Sequence, residues 1–104
     1  MLVIIEDRSL GEMARYDWSG KSPYPIEVLK AFRKCLFKIK AAHSSIDLRA
    51  IKSLHFEKLK GKKYEGIYSI RLNISYRLIF RIENLESGGK IEIICIEEIS
   101  NHYA

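Results

Sequence analysis

The chain lacks any apolar segment long enough to cross a membrane. A membrane-spanning helix needs about 18 or more consecutive apolar residues, and no run of this sequence approaches that length. The apolar run at residues 2–5 is also too short for the core of a signal peptide. We therefore expect a cytoplasmic protein that does not act on a membrane.

Cysteine is scarce, and no set of side chains has the spacing of a metal site. The sequence contains 2 cysteines, and Cys35 and Cys95 each lie among apolar neighbours. This setting favours buried free thiols over a disulfide. His43, His55 and His102 are far apart in the sequence, so no close pair of metal ligands is present. We expect neither a metal nor another cofactor.

Two common catalytic motifs are also missing. The segment Gly20-Lys21-Ser22 resembles the end of a phosphate-binding P-loop, but Arg15 stands where that motif needs its first glycine. The nucleophile elbow of serine hydrolases does not occur either. P-loop nucleotide hydrolysis and Ser-His-Asp hydrolysis are therefore set aside.

What the sequence does contain is an uneven distribution of positive charge. The net charge is +5, and 47% of the 104 residues are hydrophobic, as in a single soluble domain. Residues 52–81 hold eight Lys or Arg and two Glu, a balance of +6. Residues 82–104 hold one Lys and five Glu, a balance of −4. The basic block suits a polyanionic partner, and we expect residues 1–104 to form one domain.

Helical spacing dominates the first half of the chain. Ser9, with Glu12 three residues later, predicts a capped short helix that ends near residue 17. Residues 19–25 predict a loop, residues 26–43 predict the longest helix, and residues 47–50 predict a further helical turn.

The longest predicted helix carries a stripe of lysines on the side away from its apolar residues. Lys30, Lys34 and Lys38 form this stripe, which we expect to be a solvated helix face. Tyr16 and Trp18 lie beside the predicted loop. We expect them to anchor that loop to the body or to a protein partner rather than to stack on bases.

Alternating apolar residues predict strands in the second half of the chain and one strand at its start. Tight turns are expected at residues 73–75 and at Ser87-Gly88-Gly89. The predicted strands span about residues 1–5, 54–60, 66–72, 75–83 and 90–98.

The hairpin around residues 73–75 has two possible registers. A two-residue turn would place Ile70 opposite Arg77, whereas a three-residue turn would shift that register. Either register leaves the same alternation along the later strand. Leu78, Phe80 and Ile82 share one face of this strand, and Arg77, Ile79 and Arg81 share the other.

Together these elements predict an α+β fold. The N-terminal helices are expected to pack on a mainly antiparallel twisted sheet, whose other face stays partly open. Alternation puts Lys58 and Lys60 on one face of the predicted strand 54–60, and Lys62 and Lys63 follow in a turn. With the hairpin arginines, these lysines would form a cationic surface on the open face, which can hold a phosphate chain.

The order of these motifs resembles that of the HigB-like toxins of the RelE superfamily. The resemblance covers about residues 26–104, includes the ending at residues 98–103, and implies the RelE-like fold of microbial RNase toxins. The segments that carry it are Leu54-His55, Lys58-Leu59-Lys60-Gly61, Tyr68-Ser69-Ile70-Arg71 and Tyr76-Arg77-Leu78-Ile79-Phe80.

The resemblance implies a toxin of a type II toxin–antitoxin system. Such a toxin is a ribosome-dependent endonuclease that cuts mRNA in the decoding site of the 30S subunit, and a HigA-like helix-turn-helix antitoxin neutralises it. Two alternatives stay open. One is a ParE-type toxin, which poisons DNA gyrase on the same scaffold, and the other is an inactive module that binds RNA or the antitoxin.

The resemblance also implies four catalytic residues. His55 matches the family histidine ahead of the Leu-Lys-Gly motif, Lys60 matches the lysine of that motif, and Arg77 matches the arginine of the Tyr-Arg strand. His102 matches a terminal histidine, and Tyr103 beside it could substitute for a family tyrosine. The residues expected to bind RNA are Lys58, Lys62, Lys63, Arg71, Arg81 and Tyr103.

These residue types suit cleavage of RNA by its own 2′-hydroxyl group. The reaction needs a base for the hydroxyl proton, cations beside the phosphate oxygens, and an acid for the leaving 5′-oxygen. Histidine can serve as base or acid near neutral pH, and lysine and arginine supply positive charge. Because the nucleophile belongs to the substrate, no metal is required.

Overall fold

Within residues 1–85 and 91–102, which a computed structural model describes, five strands form one sheet. Their order across the sheet is β1-β5-β4-β3-β2, so β4 lies at the centre. The strand β1 runs parallel to β5, and the other neighbouring pairs are antiparallel. The strands are Leu2–Ile5 (β1), Glu57–Lys58 (β2), Ile67–Arg71 (β3), Arg77–Asn84 (β4) and Glu92–Ser100 (β5).

Helices cover one face of this sheet and form the core with it. Phe32 from the longest helix and Phe80 from β4 are both fully buried in this core, which confirms the predicted α+β architecture. No helix in the part of the chain that the structure describes is long and apolar enough to span a bilayer. The α-helices are Arg8–Met13 (α1), Ile26–Ala41 (α2) and Ser45–Ala50 (α3), with 3-10 turns at Lys52–Leu54 and Lys62–Tyr64.

The helix boundaries differ from the predicted ones, and for α1 the reason is that a different residue caps the helix. The carboxylate of Asp7, not the Ser9 hydroxyl, accepts the hydrogen bond from the Leu10 N–H at 2.9 Å, so α1 begins at Arg8. The helix α2 begins at residue 26 as predicted and ends two residues early. The carboxylate of Glu92 accepts hydrogen bonds from both Ser45 N and Ser45 Oγ at 2.8 Å, which ties the start of α3 to β5.

The strand predicted over residues 54–60 is wrong for most of its length. A 3-10 turn ends at Leu54, and His55 then adopts the left-handed conformation with φ 46°. Only Glu57–Lys58 pairs as a strand. Leu54 is buried, and the Phe56 ring packs 5.6 Å from the Phe80 ring, so the chain turns at residue 55 to place both side chains in the core.

The hairpin between β3 and β4 uses the three-residue turn. Ile70 lies opposite Leu78, and the Leu72 N–H donates to the Tyr76 carbonyl at 2.9 Å. Inside the turn, the side-chain oxygen of Asn73 accepts hydrogen bonds from the backbone N–H groups of Ser75 and Tyr76. The second predicted turn, at residues 87–89, lies outside the described residues.

A β-bulge at Glu97 changes the phase of β5. Glu98 lies opposite Ile79, whereas Ile96 lies opposite Phe80, so Glu97 is the extra residue. Ile96 and Ile99 can therefore both point into the core although they are three residues apart. Strict alternation would have sent one of them to the other face.

The face of the sheet away from the helices is less open than predicted. Leu78, Phe80 and Ile82 point toward the helices, as the alternation indicated. Ile79 and Arg77 on the opposite face are nevertheless buried, because neighbouring side chains cover them.

Both cysteines are buried free thiols, as predicted. Cys35 lies on α2 and Cys95 lies on β5. Burial raises the pKa of the Cys35 thiol to about 12, so this thiol stays protonated at neutral pH.

Trp18 anchors the loop between α1 and α2 to the body, as expected, whereas Tyr16 does not contact the core. Trp18 packs against the core, and a Cβ atom built at Gly20 would lie 2.6 Å from Cζ2 of its ring. Tyr16 is 77% exposed. Its ring lies 5.7 Å from the Arg33 guanidinium instead of in the core.

The contact between Gly20 and Trp18 predicts an unequal effect of two alanine substitutions. Gly20→Ala should lower the free energy of unfolding by about 1–3 kcal/mol, because the added methyl displaces the indole ring. Gly11→Ala is the control, since a Cβ there meets nothing within 4 Å, and it should stabilise α1 by up to about 1 kcal/mol. Urea unfolding measures both, and a Gly20→Ala protein as stable as the parent would contradict the anchoring role of Trp18.

Candidate functional site

Three side chains line up across one end of the sheet. Arg71 is the last residue of β3, Arg77 is the first of β4, and Ser100 is the last of β5. The register places Arg71 directly opposite Arg77, and Arg77 directly opposite Ser100. Directly opposite residues have Cβ atoms about 4.5–5.5 Å apart, so the three form a continuous row. We call Arg71, Arg77 and Ser100 the strand-end row.

The middle residue of this row, Arg77, is buried rather than exposed as predicted. Its side chain is 10% exposed, and its Nη1 lies 3.7 Å from a carboxylate oxygen of Glu57 on β2. The same nitrogen donates a hydrogen bond to Ser69 Oγ at 3.2 Å. A guanidinium removed from water needs such partners, so Glu57 and Ser69 hold the cation in place.

Sequence reasoning missed the partners of Arg77. Ser69 is fully buried in β3, and Glu57 lies directly opposite it on β2. The sequence does show one sign of this contact, because Ser69 is a small polar residue inside an apolar strand and lies on the same face as Arg71. Alternation alone does not show that such a serine faces an arginine of the next strand.

At one end of the strand-end row, Arg71 meets His55. Nη1 of Arg71 lies 3.5 Å from Nε2 of His55, within hydrogen-bonding reach, and both side chains are exposed. In this contact the imidazole nitrogen accepts and the guanidinium donates, because arginine has no acceptor. The predicted catalytic histidine is therefore beside a predicted RNA-binding arginine.

The position of His55 depends on its two neighbours. Leu54 is buried on one side, and on the other Phe56 lies between Phe80 and the Arg49 guanidinium, which is 4.9 Å from the Phe56 ring. The left-handed backbone at residue 55 joins these two anchored residues and leaves the imidazole in solvent. Histidine is among the residues that adopt this conformation more often than most.

At the other end of the row, Ser100 holds the backbone of His102. The His102 N–H donates to Ser100 Oγ at 3.0 Å, while the imidazole of His102 is exposed. The side chain of His55 thus contacts one end of the strand-end row, and the backbone of His102 is held at the other end. Tyr103 lies outside the described residues.

The lysines lie in a cleft of their own. Lys58, Lys60 and Lys62 line a cleft of about 560 Å³. Lys58 pairs with Tyr68, whereas its neighbour Glu57 pairs with Ser69. Lys58 therefore points to the side of β2 away from the strand-end row, and the expected single cationic face of lysines and arginines is not formed.

Two other predicted RNA-binding residues are engaged with protein groups. Arg81 donates to Glu97 at 2.6 Å and to Glu83 at 2.9 Å, and hydrogen bonds to these carboxylates raise the pKa of its guanidinium. Its charge is therefore offset within the protein, and its expected contact with RNA stays a prediction. The ammonium group of Lys63 lies 5.0 Å from the centre of the Tyr64 ring.

A metal site was not expected from the sequence. Among the described ranges 1–85 and 91–102, no three His, Cys, Asp or Glu side chains lie close enough together to hold a metal ion.

Comparison with known families agrees with the resemblance in the sequence. A family model described as the RelE-like toxin of the type II toxin–antitoxin system HigB matches residues 7–89. The chain belongs to the HigB-like toxin family. A type II toxin has an antitoxin as its partner, and members of the RelE-like family are endoribonucleases.

Two individual proteins show how far this likeness extends. A Haemophilus influenzae protein without an assigned function is 40% identical over 65 residues, which are 62% of this HigB-like toxin and 63% of that protein. The match thus spans less than two thirds of the relative. A solved structure described as a YoeB/ParE toxin from Agrobacterium tumefaciens has a TM-score of 0.59 and 16% identity over 99% of this chain and 100% of that one. It shows the shared fold and confirms the predicted fold class.

Because Arg77 is buried, its substitution should lower the stability of the fold. Substitution of an arginine on an open face of the sheet would have little effect. Arg77→Ala should lower the free energy of unfolding by about 1–3 kcal/mol, because the buried Ser69 hydroxyl loses its partner. Arg71→Ala, the exposed control across the strand pair, should change it by less than about 0.5 kcal/mol. Urea unfolding compares them, and equal stabilities would show that the contacts of Arg77 do not support the fold.

Proposed function

We propose that this HigB-like toxin is a ribosome-dependent mRNA endonuclease. In this proposal it cuts RNA by attack of the substrate's own 2′-hydroxyl group. The observation that supports it most is the strand-end row, in which a buried and held Arg77 lies between Arg71 and Ser100, with the His55 imidazole on Arg71 and the His102 backbone on Ser100. This arrangement offers cations for a phosphate and two groups that can transfer protons.

The two arginines are suited to bind the scissile phosphate. The contacts of Arg77 with Ser69 and Glu57 both use Nη1, and the guanidinium has further N–H donors that can bind a phosphate oxygen. Because the guanidinium is already held, little reorganisation is needed when charge grows on that oxygen during the reaction. Arg71 lies directly opposite and adds a second, exposed guanidinium.

The histidines supply the proton transfers in this proposal. His55 accepts from Arg71 through Nε2, so this nitrogen carries no proton in that contact and can take one when the substrate's 2′-hydroxyl group replaces the guanidinium. We therefore assign His55 as the base for the 2′-hydroxyl group and His102 as the acid for the leaving 5′-oxygen. Tyr103 stays a prediction.

The lysine cleft extends the contact with RNA. Because Lys60 lines this cleft and not the strand-end row, we propose that it binds the RNA backbone beside the reacting phosphate, together with Lys58 and Lys62. The three lysines line one cleft with Glu65, and its net positive charge supports this role. Lys63 remains a weaker candidate, since it already lies over an aromatic ring.

The partners follow from this activity. We propose that the toxin acts in the cytoplasm on mRNA in the decoding site of the 30S subunit and that its antitoxin is a HigA-like helix-turn-helix protein. Its net charge of +5 favours rapid association with the polyanionic ribosome, and this association should weaken as salt increases.

A ParE-type gyrase poison is the second candidate, because a neighbour in fold is described as a YoeB/ParE toxin. Poisoning of gyrase works through surface contacts and requires no acid or base. The placement of His55 and His102 around the strand-end row therefore favours cleavage.

Expression of the toxin without its antitoxin separates these functions. We expect growth to stop and new mRNA 5′ ends to appear inside translated codons, because cleavage depends on the ribosome. Co-expression of the helix-turn-helix protein encoded beside the toxin should restore growth. Intact mRNA with stalled replication would point to gyrase, and normal growth would leave only an inactive binding module.

The proposed proton transfers predict different effects for the three histidines. His102→Gln and His55→Asn should each slow single-turnover cleavage of a ribosome-bound message by roughly 10²- to 10⁴-fold. Asparagine is used at residue 55 because it tolerates the left-handed backbone. His43→Gln is the control, since His43 is exposed at the end of α2 and away from the row. Parental rates for the first two variants would remove those histidines from the mechanism.

A further inference from the structure

The exposed side of α2 carries cations and aromatic rings that the proposed active site does not use. Lysines recur every four residues along this side, which places successive lysine Cα atoms about 6 Å apart along the helix axis. Two exposed aromatic side chains lie beside them. We call this set the α2 surface, and its residues are Tyr16, Lys30, Arg33, Lys34, Phe37 and Lys38.

The aromatic part of the α2 surface is built around Arg33. Its guanidinium donates to the carbonyl oxygens of Met13 at 2.9 Å and Arg15 at 3.0 Å, which fixes the end of α1 against α2. The same group lies 5.7 Å from the centre of the Tyr16 ring. Tyr16 is thus held by a cation while most of its ring surface stays in water.

Phe37 is the second aromatic residue and has no structural role that explains its position. It is 71% exposed, whereas Phe32 and Phe80 are fully buried in the core. Phe37, Tyr16 and Arg33 line a common cleft of about 520 Å³ together with two lysines. An exposed ring among cations is the arrangement on which unpaired bases stack in proteins that bind single-stranded nucleic acid.

A second, smaller cleft connects the α2 surface to the candidate active site. Lys34 lines both clefts, and the second cleft of about 160 Å³ also includes Lys38, Ser53 and Arg71. Arg71 belongs to the strand-end row and contacts His55. A chain of cations therefore leads from Phe37 to the row.

The positive charge of the two clefts favours a polyanionic ligand. Among the residues that the structure describes, neither cleft is lined by Asp or Glu, and Lys30, Lys34 and Lys38 make no ion pair. An acidic protein segment would match the positive charge of the clefts but would not use the exposed rings. RNA also uses the exposed rings and the connection to the strand-end row, so the observations favour RNA.

We propose that the α2 surface is a second binding site for single-stranded RNA. It would hold nucleotides next to those in the active site, with the backbone along the lysines and a base stacked on Phe37. The lysine stripe that the sequence predicted as a solvated face would then have a partner. This site goes beyond the proposed cleavage reaction, since it binds RNA without taking part in chemistry.

Binding of a short fluorescein-labelled 2′-O-methyl RNA to the purified full chain tests the site. The methyl group removes the nucleophile, so the affinity does not depend on cleavage. Phe37→Ala should weaken binding by about tenfold, as expected for loss of one base stack. The double variant Lys34→Ala, Lys38→Ala should lower the slope of log affinity against log salt by about 1.4, because each phosphate contact contributes about 0.7 for single strands.

Lys21→Ala is the control, because Lys21 is an exposed lysine in the loop before α2 and lines neither cleft. It should leave the affinity nearly unchanged, and thermal melting should show all variants folded. If both test variants bind the RNA with the affinity and the salt slope of the parent protein, the proposal is overturned. The same holds if the variants lose binding to the antitoxin and keep binding to the RNA. Weaker RNA binding by the variants would support the site even if the parent protein cuts no message, so this test and that of cleavage can fail separately.

Discussion

The register of β4 against its two neighbours is the constraint on which both the core and the candidate site depend. Leu78 and Phe80 must face the helices, and this sets the phase of the strand. The three-residue turn then brings Arg71 opposite Arg77. On the other side, the bulge at Glu97 brings Ser100 to the same position, where an unbroken ladder would have placed Ile99. A single extra residue thus keeps Ile99 in the core and completes the strand-end row, which in turn holds the backbone of His102.

Arg77 shows how this register connects stability with chemistry. Its guanidinium is buried, and Ser69 and Glu57 provide the polar contacts that a buried cation needs. Glu57 is itself 57% exposed, so water screens the ion pair, and its contribution to stability is modest. In the proposed reaction its main effect is orientation, because a cation already held by the fold does not have to be ordered when a phosphate arrives. The same contacts explain why an arginine is found at the start of a central strand, where an apolar residue would otherwise pack well.

Local patterns in the sequence predicted those helices and strands whose conformation depends mainly on residues close to them in the chain. Helical spacing predicted α2, and period-two alternation predicted β3, β4 and the face that carries Phe80. These patterns missed the features that depend on contacts between distant segments. The missed features are the parallel pairing of β1 with β5, the hydrogen bond between the buried Arg77 and Ser69, and the ion pairs of Arg81. The left-handed turn at His55 was missed because two buried neighbours impose it. The candidate histidines came from family resemblance, and their arrangement around the row could not have been inferred from spacing.

In the proposed reaction, the 2′-hydroxyl group of the RNA is the nucleophile. The most direct measurement is the single-turnover rate of the purified toxin on a ribosome-bound message with one 2′-deoxynucleotide on the 5′ side of the scissile phosphate. The account predicts that the unmodified message is cut there, leaving a 2′,3′-cyclic phosphate, and that the deoxy message stays intact at that position. Cleavage of both messages at the same rate would contradict the account, because the attacking group would then have to come from elsewhere.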